Sequence, residues 1–408
     1  MNLTDTHRSI PDGKSRYLIL GLSSVNFFTL GVIVAAIGPA LDELTLQTGS
    51  SLTAIGGIFM AISLGALVAQ LVGGQLVDRA GPRRLLPAAM LLMSVGAFGI
   101  TQARALWVCL LCAGVSGLGQ GMVHIASHVM ISGLFADKRA AALNFMNVFF
   151  GVGAFAGPAL AGLTLREFHT ALPSILAGAG FVLLFIPLAL AWLPREAGKH
   201  IPTEEMRGEM LTQGNPYTSL RLWLFGTILL LYVGIEIGMG GWSSTYLQRT
   251  VQVPPETGAA VTSGFWLALT VGRVVATFLG TRISARVLLG SSLLTTIAGC
   301  LLLGLGYGGL EGSVAGILLL GFGYGPIFPT TIALVTTTFQ HAAGRATGVV
   351  VAMGSTGGML LPWLLGALIE GVGAGVTPWL ALAVGVGMLA CAVGVTQLGK
   401  RKRGAEYN

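Results

Sequence analysis

Long apolar stretches, each bounded by a few polar or turn-forming positions, follow one another along the whole chain. A helix crossing a bilayer needs about 20 mostly apolar residues. Twelve segments reach that length: 17–41, 52–77, 84–101, 106–135, 140–165, 171–193, 221–247, 258–281, 287–306, 312–339, 344–370 and 376–398. The pattern predicts an all-α membrane protein of twelve transmembrane helices, here spans 1 to 12. Most connections are short. The exception, Pro194 to Leu220, is rich in charge, from Arg195 and Glu196 to Arg207 and Glu209. The predicted organisation is a tail 1–16, a six-helix bundle 17–193, a linker 194–220, a second six-helix bundle 221–398 and a basic tail 399–408. The first apolar run is too long for a signal-peptide core and is expected to stay in the membrane.

Composition supports lipid as the solvent. Of 408 residues, 53% are hydrophobic and only 10% charged, against about 25% charged in a soluble domain. The 61 glycines suit membrane helices, where Gly and Pro are more frequent than in soluble ones. The net charge of +7 does not indicate a nucleic-acid partner, because the basic residues sit in short loops and the tails. Nineteen of the 23 Lys and Arg fall on the side of the two tails. Arg104, Arg166 and Arg249 fall on the other, and Arg273 lies inside span 8. This bias predicts that both termini and the linker are cytoplasmic. Cys109, Cys112, Cys300 and Cys391 all lie in apolar segments. They read as packing residues, and no disulfide is expected.

The two halves are related. Gly117-x-Gly119-x-Gly121 falls on Gly321-x-Gly323-x-Gly325 at a shift of 204 (321 − 117), and Gly153, Pro158 and Gly162 fall on Gly357, Pro362 and Gly366 at the same shift. Two parallel six-helix repeats make a transporter that rocks around a site near the membrane midplane.

One stretch of span 7, Tyr232 to Leu247, concentrates the candidate chemistry. It holds Glu236, the only carboxylate deep within an apolar span. An acid in hydrocarbon is costly and by default marks a solute or ion pathway. The plainer reading places Glu236 near an interface, paired with a basic neighbour. Glycines 234, 238, 240 and 241 permit close approach of a helix or ligand. Trp242 and Tyr246 follow; Trp242 and Trp266 read equally as site platforms or as packing and interfacial rings.

The loop after span 2 reads Gly74-Gln-Leu-Val-Asp78-Arg79-Ala-Gly81-Pro82-Arg83-Arg84. It resembles the signature of the major facilitator superfamily: a Gly, then Asp-Arg, then Gly with basic residues. Gly81-Pro82 predicts a tight turn. Gly74, Asp78, Arg79, Gly81, Arg83 and Arg84 are the candidate cytoplasmic gate, with Asp78 as its latch.

Further motifs narrow the resemblance. Tyr232-Val-Gly-x-Glu236 with Gly240-Gly241-Trp242, Ser263-Gly-Phe265-Trp266 with Gly272-Arg273, and Gly321-x-Gly323-x-Gly325-Pro326 with Phe328-Pro329-Thr330 resemble spans 7, 8 and 10 of the fucose permease and sodium-dependent glucose transporter-like sugar branch. Gly344-Arg345-Ala-Thr-Gly348 resembles the start of span 11 in that branch, and Asn144 to Pro158 resembles its span 5. The resemblance implies transport of a hexose or polyol, often cation-driven. The chain departs from the branch in span 4, where His124 and His128 replace an acid and an Asn, and in span 1, which offers Asn26 but no acid.

His124 and His128, four apart, share one helix face. Three readings stand: a solute site that handles protons, hydrogen-bonded packing residues, or a two-His metal site lacking an evident third ligand. Arg273 and Glu236 lie about 10 Å apart in depth at 1.5 Å per residue. Paired, Glu236 is a poor proton carrier; unpaired and buried, a good one. The candidate solute site comprises Asn26, Gln70, Gln120, His124, His128, Asn147, Glu236, Trp242, Tyr246, Trp266, Arg273 and Tyr324, with Gln120 and Tyr324 related by the 204 shift and facing one another across it. Glu236 and His124 are the candidate coupling residues.

The expected activity is import of a small polar solute, a sugar, across a cell membrane of cytoplasmic type. It is expected to be coupled to a proton rather than sodium, with no catalysis, bound cofactor or metal, by a monomer. The alternative is proton-antiport export of drugs or amphipathic metabolites. Its cue is Gly153-x-x-x-Gly157-Pro158-x-x-x-Gly162, which partly resembles the motif of proton-driven drug exporters.

Overall fold

The computed structural model describes residues 13–135, 138–193, 216–306 and 309–406. Every regular element among them is helical, as hydrocarbon demands of a backbone that cannot hydrogen-bond to lipid. Twelve segments are long and apolar enough to cross a membrane. In the first half they are Ser15–Thr48, Leu52–Gly73, Pro82–Gln102, Leu106–Leu134, Ala141–Phe168 and Leu172–Trp192. In the second they are Leu220–Thr250, Pro255–Leu279, Ala285–Leu305, Leu310–Thr338, Ala343–Gly371 and Ala374–Leu398. The chain is a multi-pass membrane protein of all-α class. The last helix continues to Glu406, through the predicted basic tail. Most of the predicted linker, 194–215, lies outside the described residues.

Span 1 shows how the apolar pattern understates a helix. Its helix runs Gly13–Thr48, past the apolar limit at residue 41. Extending a formed helix gains one hydrogen bond per residue, and the polar end finds partners. Gln47 Nε2 donates to the carbonyls of Thr101 (3.0 Å) and Ala103 (2.6 Å). Glu43 accepts from Thr170 Oγ1 (2.6 Å) and the Ala171 amide (2.8 Å). Span 10 is instead broken into Leu310–Tyr324 and Ile327–Thr338. Pro326 at the break lacks the N–H a continuous helix would use.

The repeat seen in the sequence is a repeat of packing. A Cβ at Gly117 would run into the Ile62 carbonyl oxygen, and one at Gly321 into that of Phe265. Gly121 lies likewise against Ala66 and Gly325 against Leu269. Gly119 meets Met93 and Ala89, while Gly323 meets Thr296 and Ser292. Every one of these partners is displaced by 203 residues (265 − 62) between the halves. Gly153 packs on the Phe28 carbonyl of span 1 and Gly357 on the Leu230 carbonyl of span 7. Spans 2 and 4 of one half thus pack as spans 8 and 10 do, and spans 1 and 5 as spans 7 and 11 do.

The halves meet chiefly away from the end that carries the chain termini. Gly38 abuts the backbone of Gly240 and Gly241. Ser263 Oγ donates to the Phe155 carbonyl at 2.7 Å. Trp242 of span 7 sits between Gly56 and Gly366, its indole N–H on the Pro362 carbonyl at 2.8 Å. Spans 5 and 8, and spans 2 and 11, pack across the seam; among the described residues, spans 4 and 10 do not form a packed pair.

Gly153→Ala or Gly357→Ala should destabilise the purified protein by about 1–3 kcal/mol, because the new methyl meets backbone. Gly348→Ala, with open space around it, should be neutral or gain up to about 1 kcal/mol from helix propensity. Thermal unfolding in detergent checks this, and equal effects at all three sites would refute the packing account.

Candidate functional site

Glu236 lies midway along the helix Leu220–Thr250 and is only 8% exposed. Arg273 reaches it from span 8, Nη2 to Oε1, at 3.0 Å. The same Nη2 lies 3.4 Å from the hydroxyl of Tyr232, one turn before Glu236. The depth difference estimated from sequence is therefore closed by the length of the arginine side chain. Glu236 has a basic partner, as the plainer reading held, but deep in the bundle rather than at an interface. Such a pair gives little net stability, yet removing one member strands a buried charge and costs about 3–5 kcal/mol.

Aromatic rings frame the pair. Tyr324 meets Tyr232 edge-on at 6.0 Å, and Phe265 meets Tyr324 at 6.2 Å and Trp266 at 5.4 Å. Trp266 lies against Gly240, one turn beyond Glu236, where any side chain would collide with the indole. Three buried polar atoms around the carboxylate have no hydrogen-bond partner among the described residues: Arg273 Nε, Trp266 Nε1 and the Tyr324 hydroxyl. Buried polar groups are rarely left so. On its other side Arg273 lines a cavity of about 240 Å³ between spans 8, 9 and 10, with Thr277, Leu288, Pro329 and Thr330.

The first half presents a different group. His124 stacks on His128 at 4.1 Å, and Phe27 of span 1 lies 5.5 Å from each ring. His124 is exposed, and its carbonyl meets His128 Nδ1 at 2.9 Å. Asn26 is fully buried, and neither atom of its amide has a partner among the described residues. Asn147 donates to the Leu143 carbonyl (2.9 Å), and Gln70 is half-buried. Gln120 bonds within its own helix to Ser116 Oγ (3.2 Å). Gln120 and Tyr324, the pair related by the repeat, are both buried.

Other candidates lie elsewhere. Trp242 and Tyr246 are wholly buried, and Trp242 packs in the seam described above. At the predicted gate, Gly81 has φ 71° and starts the helix Pro82–Gln102, the tight turn expected of Gly-Pro. Arg79 and Arg84 are exposed and Arg83 is half-buried. Gly74 and Asp78 belong to the helix Leu52–Ala80, and the surroundings of the two lie outside what is described.

Residues the sequence did not single out close the far end. Arg249 of span 7 pairs with Asp42 of span 1 at 3.2 Å, and Thr245 Oγ1 reaches the same carboxylate at 3.2 Å. Glu370 of span 11 accepts from the Thr53 amide at 2.6 Å, at the start of span 2. The available signal was opposite charge at matching ends of spans 1 and 7. Tyr232 also went unselected, although a phenol four residues before a buried acid shares its face.

Comparison with known proteins follows this geometry. The Major Facilitator Superfamily profile matches residues 22–260 and 224–406. Sodium-dependent glucose transporter 1 of Danio rerio is 24% identical over 385 residues, 87% of this chain and 65% of that protein. The chain thus spans just under two thirds of that relative's length. MFS-type transporter SLC18B1 of Mus musculus is 31% identical over 208 residues, 48% of this chain and 45% of the relative. Among solved structures, the D-xylose-proton symporter superposes with a TM-score of 0.78 at 15% identity, covering 93% of this chain and 97% of that one. At that identity the likeness concerns the fold.

Two outcomes test the site. Arg273→Gln alone should destabilise the protein by about 3 kcal/mol, and Arg273→Gln with Glu236→Gln by clearly less, since the double change strands no charge; equal losses would mean that the pair is not buried as described. Asp42→Asn with Glu370→Gln should loosen the far end. Spin labels at exposed Leu46 and Val372 should then show a population at longer separation by pulsed electron resonance, and an unchanged distribution would exclude a latch.

Proposed function

The chain belongs to the Major Facilitator Superfamily, a family of transporters rather than enzymes, and on that premise we propose that it moves a sugar or similar polyol across a cell membrane by alternating access, coupled to a proton. The observation that carries this reading is the Glu236–Arg273–Tyr232 group with its unpartnered neighbours, Arg273 Nε, Trp266 Nε1 and the Tyr324 hydroxyl. A polyol offers many hydroxyls that accept as well as donate, and an apolar ring face that suits the indole of Trp266. The relative named as a glucose transporter supports the same class.

Coupling follows from competition for one carboxylate. Arg273 pairs with Glu236 in the geometry described. Paired, Glu236 is a poor proton carrier, so a proton is taken up when Arg273 swings away toward the solute or the cavity beside it and leaves the carboxylate buried and unpaired. His124, exposed on the facing half, is the second proton-handling group. The termini end is taken as cytoplasmic from its basic residues, and the open seam there as the inward-facing state. The export alternative keeps its cue in the span 5 pattern, whose Gly153 and Gly157 pack on the Phe28 and Val32 carbonyls, a contact that transport in either direction can use.

Proteoliposomes offered a panel of hexoses and polyols test the proposal. One pH unit of gradient should sustain up to about tenfold accumulation of the right solute. Glu236→Gln should abolish accumulation while keeping counterflow exchange, with His124→Asn measured separately. No saturable uptake of any sugar, with either a proton or a sodium gradient, would sink this reading. Drug resistance on overexpression, lost in Glu236→Gln, would install the alternative.

A further inference from the structure

A second cavity, of about 360 Å³, lies within the second half at the termini end, between spans 7, 9, 10 and 12. Its volume is in the ~300–1,000 Å³ range of pockets that hold small molecules. Phe225, Leu289, Leu334, Leu389 and Val393 make its walls apolar, and Arg221 and Arg286 are its charged residues. Among the described residues, none that lines it is acidic.

The two arginines are placed against local electrostatics. Each sits in the first turn of its helix, Leu220–Thr250 or Ala285–Leu305, and neither first turn holds an acid. A helix N-terminus already carries partial positive charge and favours an anion. Two guanidiniums and two helix starts therefore converge on one cavity, with no opposite charge among the described residues that line it. Arg221 Nη2 donates to the Leu398 carbonyl at 2.5 Å, which holds it by the end of span 12. Arginines serving only topology need no cavity; Arg282, exposed at the same end, lines neither cavity described here. The indole N–H of Trp223, half-exposed two residues after Arg221, bonds to the Tyr217 carbonyl at 2.9 Å. An amphipathic ring in that position marks headgroup depth.

We propose that this cavity binds an anionic phospholipid, its phosphate between Arg221 and Arg286 and an acyl chain against Phe225, Leu334 and Leu389. Paired guanidiniums recognise phosphate, and the apolar wall selects an amphiphile over a free anion. Leu334 belongs to the second helix of span 10, whose Pro329 and Thr330 line the cavity beside Arg273. A bound chain would brace that helix. The site does not depend on which solute is carried.

Native mass spectrometry of the delipidated full-length protein, titrated with dioleoylphosphatidylglycerol against dioleoylphosphatidylcholine, tests this. The unmodified protein should retain one phosphatidylglycerol with a preference of about tenfold. R221Q/R286Q should lose the preference and R282Q keep it. L389W, which fills the cavity and leaves both charges, should also lose the lipid. Each variant is first checked for a single monodisperse species. The proposal is overturned if R282Q loses as much as the double variant, if L389W retains the lipid, if the unmodified protein shows no preference, or if glycerol 3-phosphate displaces the lipid at equal concentration.

Discussion

A carboxylate and a guanidinium, each on a helix that crosses hydrocarbon, must find one another or bear a large desolvation cost. That constraint organises the second half of this protein. It sets spans 7 and 8 so that Arg273 reaches back to Glu236, and it draws in the Tyr232 hydroxyl. The same face of span 7 must then be bare where Trp266 lies, and Gly240 supplies the gap. The pair leaves nearby polar atoms unused, so the centre is charged, crowded with rings and short of partners.

Rigidity and weakness are distributed to match. Within each half, glycines bring backbones into contact through equivalent positions, so the two bundles share one construction. Between halves the far end relies on smaller interactions. The Asp42–Arg249 pair is partly exposed, and pairs of that kind contribute about 0–1 kcal/mol. Two bundles packed along spans 5 with 8 and spans 2 with 11, with partly exposed polar contacts closing the far end, suit the rocking proposed for transport.

Symmetry of packing does not extend to chemistry. The ion pair belongs to the second half alone, whereas the first offers a stacked histidine pair and the buried Asn26. The repeat supplies two similar walls; substitutions within it give them different tasks.

The apolar pattern alone determined the twelve spans and the all-helical class, because hydrocarbon permits few alternatives. Glycine and proline spacing revealed the repeat, since close helix packing admits only the smallest residues. Even Glu236 stood out, because an acid is rare in such surroundings. Tertiary structure decided what that acid meets. Whether Arg273 reached Glu236 depended on how its side chain spanned a depth difference, which no spacing along one chain encodes. It also placed Trp242 in the seam, choosing packing from two readings the sequence left equal, because its indole found the Pro362 carbonyl of another helix. The Asp42–Arg249 contact joins residues 207 apart in the chain; only folding makes them neighbours.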